Sequence, residues 1–137
     1  MQSAVNGSVI GSNPITSVMK ILFLDDSHTR WHIFKDLNPS ANANFAPSYS
    51  QGIEMLSKYE YDVAFLDHDL DISHRTGEDV ARYIVENKIP FKKIICHSMN
   101  EYGRKNMVSI LRSAGYDAYE FQFAWSHRID ETVGGYD

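Results

Sequence analysis

The chain has 137 residues, 43% apolar and 23% charged, with a formal net charge of −5. That is the length of one ordinary domain, and the negative charge excludes a broad basic face for nucleic acid while leaving room for a small phosphate-reading pocket. The one cysteine, Cys96, excludes internal disulfides and multi-thiolate zinc sites, and no apolar run approaches the roughly 18 residues that cross a bilayer, so a cytoplasmic protein with no membrane partner is expected.

Residues 1–18 are rich in Ser, Asn and Gly and poor in charge. They show neither strand alternation nor a helical stripe, and they lack the basic front and continuous apolar segment of a secretory signal. They are expected to form a flexible N-terminal leader, with a single domain over 19–137 that begins at Met19-Lys20.

From Lys20 the apolar period switches back and forth. Ile21 to Leu24 is a short continuous apolar run ending in Asp25-Asp26. Such a run reads as a strand buried on both faces. Ile33, Phe34 and Leu37 then offer one helical face. Ala43 to Ser48 is a weaker strand, with Pro47 suited to an edge or a strand end. Tyr49, Ile53 and Leu56 follow at helical spacing. Tyr61 to Leu66 is a second continuous run, ending in Asp67. Gly77, Val80, Ala81, Ile84 and Val85 form a clear helical stripe. Phe91 to Cys96 is a third run, ending in His97-Ser98. Gly103, Met107, Ile110, Leu111 and Ala114 form the next stripe, with Gly115 as its C-terminal stop. Tyr116 to Phe123 is the last strand candidate, and a final helix is expected in the tail. The alternation predicts an α/β fold: a flavodoxin-like five-stranded parallel sheet of order 2-1-3-4-5, with helices on both faces.

In such sheets ligands bind beyond the carboxyl ends of the strands, at the switch point between the first and third. Those two ends carry Asp25, Asp26 and Asp67, with Asp69 and Asp71 close behind. Crowded carboxylates repel one another, and a divalent cation relieves them. Oxygen ligands suit Mg²⁺ or Mn²⁺. The competing reading is that the acids only cap the following helices, for which Asp26 and Ser27 are suitable types. His68 and His97 fall at the same edge, and either imidazole can protonate a leaving oxygen or activate water. Each can equally be a hydrogen-bonded loop residue. Arg30, about one turn into the first helix, can grip a phosphate bidentately or lie on the solvated face. His28, His32, His74 and His127 are weaker candidates. His74-Arg75-Thr76 matches His-x-Ser/Thr only once, so a phosphoesterase that needs two copies is not supported, and no P-loop is present. Cys96 reads as a small core residue. The aromatic stretch Tyr119, Phe121, Phe123 and Trp125 reads as packing, with base stacking as the alternative.

These residues resemble a response-regulator receiver domain over Lys20 to Phe123. The resemblance rests on Asp25-Asp26, Asp67 and Ser98, and it implies that the acid pair holds Mg²⁺, that Asp67 accepts a phosphoryl group and that Ser98 contacts it. The receiver Lys at the end of the fifth strand has no counterpart in YEFQFAW. FLDD with Arg30, LDHDL and HS-x-N before an amphipathic helix ending in AGY are similar to a divergent family of phage and bacterial genomes, the cyclic-phosphate-processing receiver domains. That resemblance implies catalytic Asp67, His68, His97 and Ser98, substrate-binding Arg30 and Asn100, and a metal on Asp25, Asp26, Asp67 and Asp69. The implied activity is hydrolysis of a cyclic phosphate, on a small phosphorylated ligand or an RNA end, by attack of water or of Asp67 itself. A non-enzymatic phosphoacceptor or a nucleotide-binding decoy is the alternative.

Overall fold

The three continuous apolar runs, the weaker segment after the first helix and one short late segment build a single sheet. In the computed structural model, which describes residues 19–70 and 74–133, these are β1 (Lys20–Leu24), β2 (Asn42–Ala46), β3 (Val63–Leu66), β4 (Lys93–Cys96) and β5 (Ala118–Glu120). All neighbours are parallel and the order is β2-β1-β3-β4-β5. The crossovers are α1 (His28–Leu37), α2 (Tyr49–Lys58), α3 (Gly77–Glu86) and α4 (Glu101–Ser113). A short 3-10 helix (Ala124–Ser126) and α5 (Ile129–Thr132) close the described chain. The expected sheet order is therefore the one observed.

Side-chain alternation divides the core in two. Leu22, Leu24, Ala64, Leu66, Ile94 and Cys96 face a layer formed by α2, α3 and α4, where Leu56, Val80, Ile84, Met107 and Leu111 are buried. Ile21, Phe23, Val63, Phe65 and Ile95 face the other side, where Phe34 of α1 and Ala124, Ile129 and Val133 of the tail are buried. Phe23 stacks on Phe34 at 4.7 Å and meets Phe65 at 6.0 Å. Each fully buried large side chain of this kind contributes about 1.5–3 kcal/mol.

Several element bounds differ from the sequence expectation. The second strand ends at Ala46, Pro47 adds no N–H to the ladder, and Ser48 caps α2 by accepting from the Gln51 amide. The third begins at Val63, because Asp62 turns its carboxylate to the Lys20 amide at 2.8 Å. The fourth begins at Lys93. The fifth shrinks to Ala118–Glu120, since the chain curls at Phe121, whose carbonyl accepts from the Ala124 amide at 3.0 Å. On α1, Leu37 is 40% exposed, and Phe34 with partly buried Trp31 makes the contact instead. On α4 the stripe uses Val108 rather than exposed Ala114. Gly115 ends that segment with a φ of +94, the conformation that favours glycine. The final helix exists as α5, and Asn38 anchors it by accepting from the Ile129 amide at 2.8 Å. No helix among the described residues is long and apolar enough to cross a membrane. The expected leader 1–18 and Asp71 lie outside the described residues.

Candidate active site at the carboxyl edge of the sheet

The same alternation sorts the polar residues that follow each strand. Asp25, Asp67 and His97 continue the parity of Phe23, Phe65 and Ile95, toward α1. His68 and Ser98 continue the parity of Leu66 and Cys96, toward α3 and α4, whereas Asp26, past the end of its strand, joins Asp25 and Asp67 instead. The backbone ladder runs one step past each strand end and holds these residues in place. Asp25 donates to Ala46 O at 3.1 Å, Asp67 to Leu24 O at 2.9 Å, and His97 to Leu66 O at 3.0 Å.

On the α1 side, carboxylate oxygens of Asp25, Asp26 and Asp67 lie within 4.8 Å of one another. Asp25 and Asp67 are buried, and Asp26 is half-buried. Capping does not account for them, because Ser27 caps α1 through its hydroxyl. Arg30 stands among the three acids. Its Nε donates to Asp25 Oδ2 at 2.8 Å, and its Nη2 donates to Asp25 Oδ1 at 2.8 Å and to Asp26 and Asp67 at 3.4 Å each. The expected phosphate-gripping residue is thus engaged by the acids themselves. Its hydrogen bond to Asp25 raises its pKa still further. Burial, reinforced by the Asp25 charge and opposed by Arg30, pushes the Asp67 carboxyl up to about 7.

His97 lies behind these acids and has no exposed side-chain surface. Its ring stacks on Phe23 at 5.2 Å, and its Nδ1 stands 3.7 Å from Asp25 Oδ2. Neither ring nitrogen has a hydrogen-bond partner within 3.5 Å among the described residues. Burial pushes this imidazole down to about 4, so it is neutral at pH 7. Cys96 is core, its thiol pushed up to about 12 by burial.

On the α3/α4 side, His68 sits in a second group. Carboxylate oxygens of Asp69 and Glu78 stand 3.0 Å from its Nδ1 and Nε2. Asn106 donates to the same Glu78 oxygen at 3.2 Å. Asp69, expected as a fourth metal ligand, is therefore outside the acid cluster; its carboxylate faces His68 and, at 3.5 Å, Asn100. Asn100 caps α4 by accepting from the Gly103 amide. Ser98 accepts from the Asn100 amide at 3.0 Å, and its side chain favours the ionised form of Asp67, which relates the two groups. Buried Arg104 fastens this loop, donating to Ser98 O at 2.7 Å and to Glu120 at 3.1 Å.

Glu78, Asn106, Arg104 and the two glycines of this cradle were not read from the sequence as site residues. A Cβ on Gly103 would stand 2.4 Å from the His68 ring, and one on Gly77 would stand 2.2 Å from Asp67 O. The available signal was the pairing of glycines at helix starts with strand-end polar residues. The aromatic stretch divides as follows: Tyr119, Phe121 and Trp125 pack against the core, Phe123 is 45% exposed, and the Trp125 ring lies 6.0 Å from the Arg30 guanidinium.

Chemically, the acid group offers only oxygen donors, two of them on buried side chains that need a compensating cation. This fits a hard divalent ion held by Asp25, Asp26 and Asp67. The N-termini of α1, α3 and α4 open onto the same edge, which favours an anionic ligand beside the acids. A cavity of about 390 Å³ lies elsewhere, at the amino edge, lined by Lys20, Glu60, Tyr61, Asp62 and Phe91.

Solved structures similar to this chain include receiver domains and response regulators. The signal receiver domain of a Luxo repressor protein from Vibrio parahaemolyticus is 19% identical, with a TM-score of 0.64 over 84% of this chain and 86% of that one. The Mn²⁺-bound form of response regulator Rcp1 is 14% identical, with a TM-score of 0.63 over 87% and 97%. Response regulator TrrA from Thermotoga maritima, in complex with Mg²⁺-BeF, is 20% identical, with a TM-score of 0.61 over 84% and 93%. Among curated proteins no sequence matches. The sequence model described as the cyclic-phosphate processing receiver domain matches residues 20–113, from the first strand to the end of α4. The chain belongs to the cyclic-phosphate-processing receiver domain family.

Proposed function

We propose that the chain is a metal-assisted phosphoesterase that opens a cyclic phosphodiester. The observation that carries this is the convergence of three carboxylates from two strand ends within 4.8 Å, beside a hydroxyl and an imidazole group. Mg²⁺ or Mn²⁺ on Asp25, Asp26 and Asp67 would neutralise the non-bridging oxygens and lower the pKa of the attacking water. The Mn²⁺ of Rcp1 and the Mg²⁺ of TrrA, on related folds, support that choice.

The remaining roles fall to the protein's own groups. In the reaction a P–O bond forms to the nucleophile, one ring P–O bond breaks, and the departing oxygen takes a proton. His68 is the proton donor of choice, since its side chain is 13% exposed whereas that of His97 is sealed. His97 backs Asp25. Asp67 either orients water or attacks phosphorus itself, in which case water then cleaves the aspartyl-phosphate ester to free the phosphomonoester and the carboxylate, and the Ser98 hydroxyl and the Asn100 amide position the phosphate. The substrate is a small phosphorylated ligand or an RNA end, because a chain of net charge −5 offers little to an extended polyanion.

The second reading is a non-enzymatic phosphoacceptor, which the receiver fold itself favours. The end of β5 argues against it. Where the receiver resemblance calls for Lys, the strand ends in Glu120, held by Arg104 and Lys105. The experiment is incubation with 2′,3′-cyclic nucleotides and Mg²⁺ or Mn²⁺, watching for phosphomonoester. Asp67→Asn and His68→Gln should each lower turnover at least about 100-fold. An inert wild type that still takes up beryllofluoride would replace the hydrolase with the phosphoacceptor.

A further inference from the structure

We propose that Arg30 is a built-in cation of the acid cluster, displaced when a divalent metal enters and thereby handed to the phosphate of the substrate. The inference rests on the metal site proposed above. Both oxygens of Asp25 are taken by Arg30, Oδ2 by Nε and Oδ1 by Nη2, at 2.8 Å each. The same Nη2 reaches Asp26 and Asp67. Oδ1 also accepts from the Ser27 amide at 2.8 Å, so a metal that ligates Asp25 competes with Arg30 for its lone pairs and sets a second positive charge against the guanidinium. Asp25 is wholly buried and cannot be left without a counter-charge, so exchange of one cation for another is the route open to it.

Arg30 is built to leave. Its side chain is 27% exposed, while that of Asp25 has no exposed surface. Its backbone is fixed independently, since its amide donates to the Ser27 cap at 3.1 Å. Only the side chain need move. A second observation marks the cluster as a ligand site rather than a closed ion pair: the buried, partnerless His97 ring stands 3.7 Å behind Asp25. Once released, the guanidinium presents a planar fork of donors beside the helix N-termini, the arrangement that grips phosphate bidentately. Metal and phosphate then bind with positive coupling through one side chain, and the coupling is reciprocal.

The signature is a pair of opposite effects. Arg30→Met removes the competitor and the phosphate ligand together. At equal ionic strength, Mn²⁺ binding by the full chain is read from the free-ion paramagnetic resonance signal, and inorganic phosphate binding at saturating Mn²⁺ by calorimetry. Arg30→Met is expected to bind Mn²⁺ about tenfold tighter and phosphate about tenfold weaker than wild type. General damage would weaken both. Should Arg30→Met fail to fold, Arg30→Lys retains the charge without the fork, and it shifts both affinities in the same directions by smaller factors. Mn²⁺ binding that is unchanged or weaker in the folded variant overturns the exchange, as does unchanged phosphate binding. Wild-type turnover of cyclic nucleotides would in that case leave the hydrolase reading standing. No Mn²⁺ binding to either protein would remove the metal site itself, and the exchange with it.

Discussion

Asp67 titrates near 7 in the folded chain against an ordinary 3.8, so the fold holds its proton where the unfolded chain has released it. The unfolded state then binds fewer protons, and this group lowers stability as pH rises from about 4 to about 7. His97 does the reverse. Its folded value of about 4 lies below the ordinary 6.5, so its contribution is complete above about 6.5 and is lost as pH falls toward 4. Each group alone has a limiting slope of about 1.4 kcal/mol per pH unit, and in the shared window they oppose one another. Urea titrations between pH 4.5 and 6.5, with chelator present, should show little net slope from this pair in wild type. Asp67→Asn should become less stable as pH falls, and His97→Phe should become more stable. At pH 7.5 Asp67→Asn should also exceed wild type by about 1–3 kcal/mol, since a buried carboxylate is replaced by a neutral isostere. Parallel profiles for all three proteins would mean that neither group is buried as described.

At the scale of elements, α3 and α4 close on His68 because each carries a glycine in its first turn, Gly77 and Gly103. Alanine in an exposed helix interior normally stabilises by about 1 kcal/mol relative to glycine. Here the sign should reverse. Gly103→Ala pushes on the His68 ring, which can rotate aside, and should cost about 1–3 kcal/mol together with most of the turnover. Gly77→Ala pushes on the backbone carbonyl of Asp67, which cannot move without the strand, and should cost more than about 3 kcal/mol. Denaturant midpoints of the two variants check the order, and an equal or inverted pair would contradict the cradle. The strands and amphipathic helices were legible because their periods are local. The acid cluster was legible too, since sheet topology alone brings the first and third strand ends together. The place of Arg30 was not, because its spacing from Asp25 and Asp26 suits both an ion pair with them and a free helix face. Nor was the Asn38 anchor, whose partner Ile129 lies 91 residues away. The opposite facing of His68 and His97 follows from strand parity, which the sequence carries once strand bounds are known to within one residue.

The whole molecule carries a net charge of −5 and gathers three acids around one guanidinium at one edge. Two kinds of cation effect are therefore superimposed. General screening of the excess negative charge depends on ionic strength and should be modest for exposed groups. Specific occupation of the acid cluster depends on the identity of the ion and stabilises by mass action, by about 2.7 kcal/mol at a concentration 100 times Kd. Thermal unfolding in MgCl₂ or MnCl₂ against NaCl of matched ionic strength separates them, with chelator-treated protein as the reference. The divalent salts should raise the midpoint well beyond the sodium control in wild type. In Asp26→Asn, which removes the most accessible ligand and leaves the buried Asp25–Arg30 pair intact, most of that excess should vanish while the sodium response remains. Equal midpoints in divalent and matched sodium salts would mean that Arg30 alone satisfies the acids. The cluster would then be a structural ion pair, and the chemistry at this edge would have to proceed from Ser98 and the His68 group without a metal.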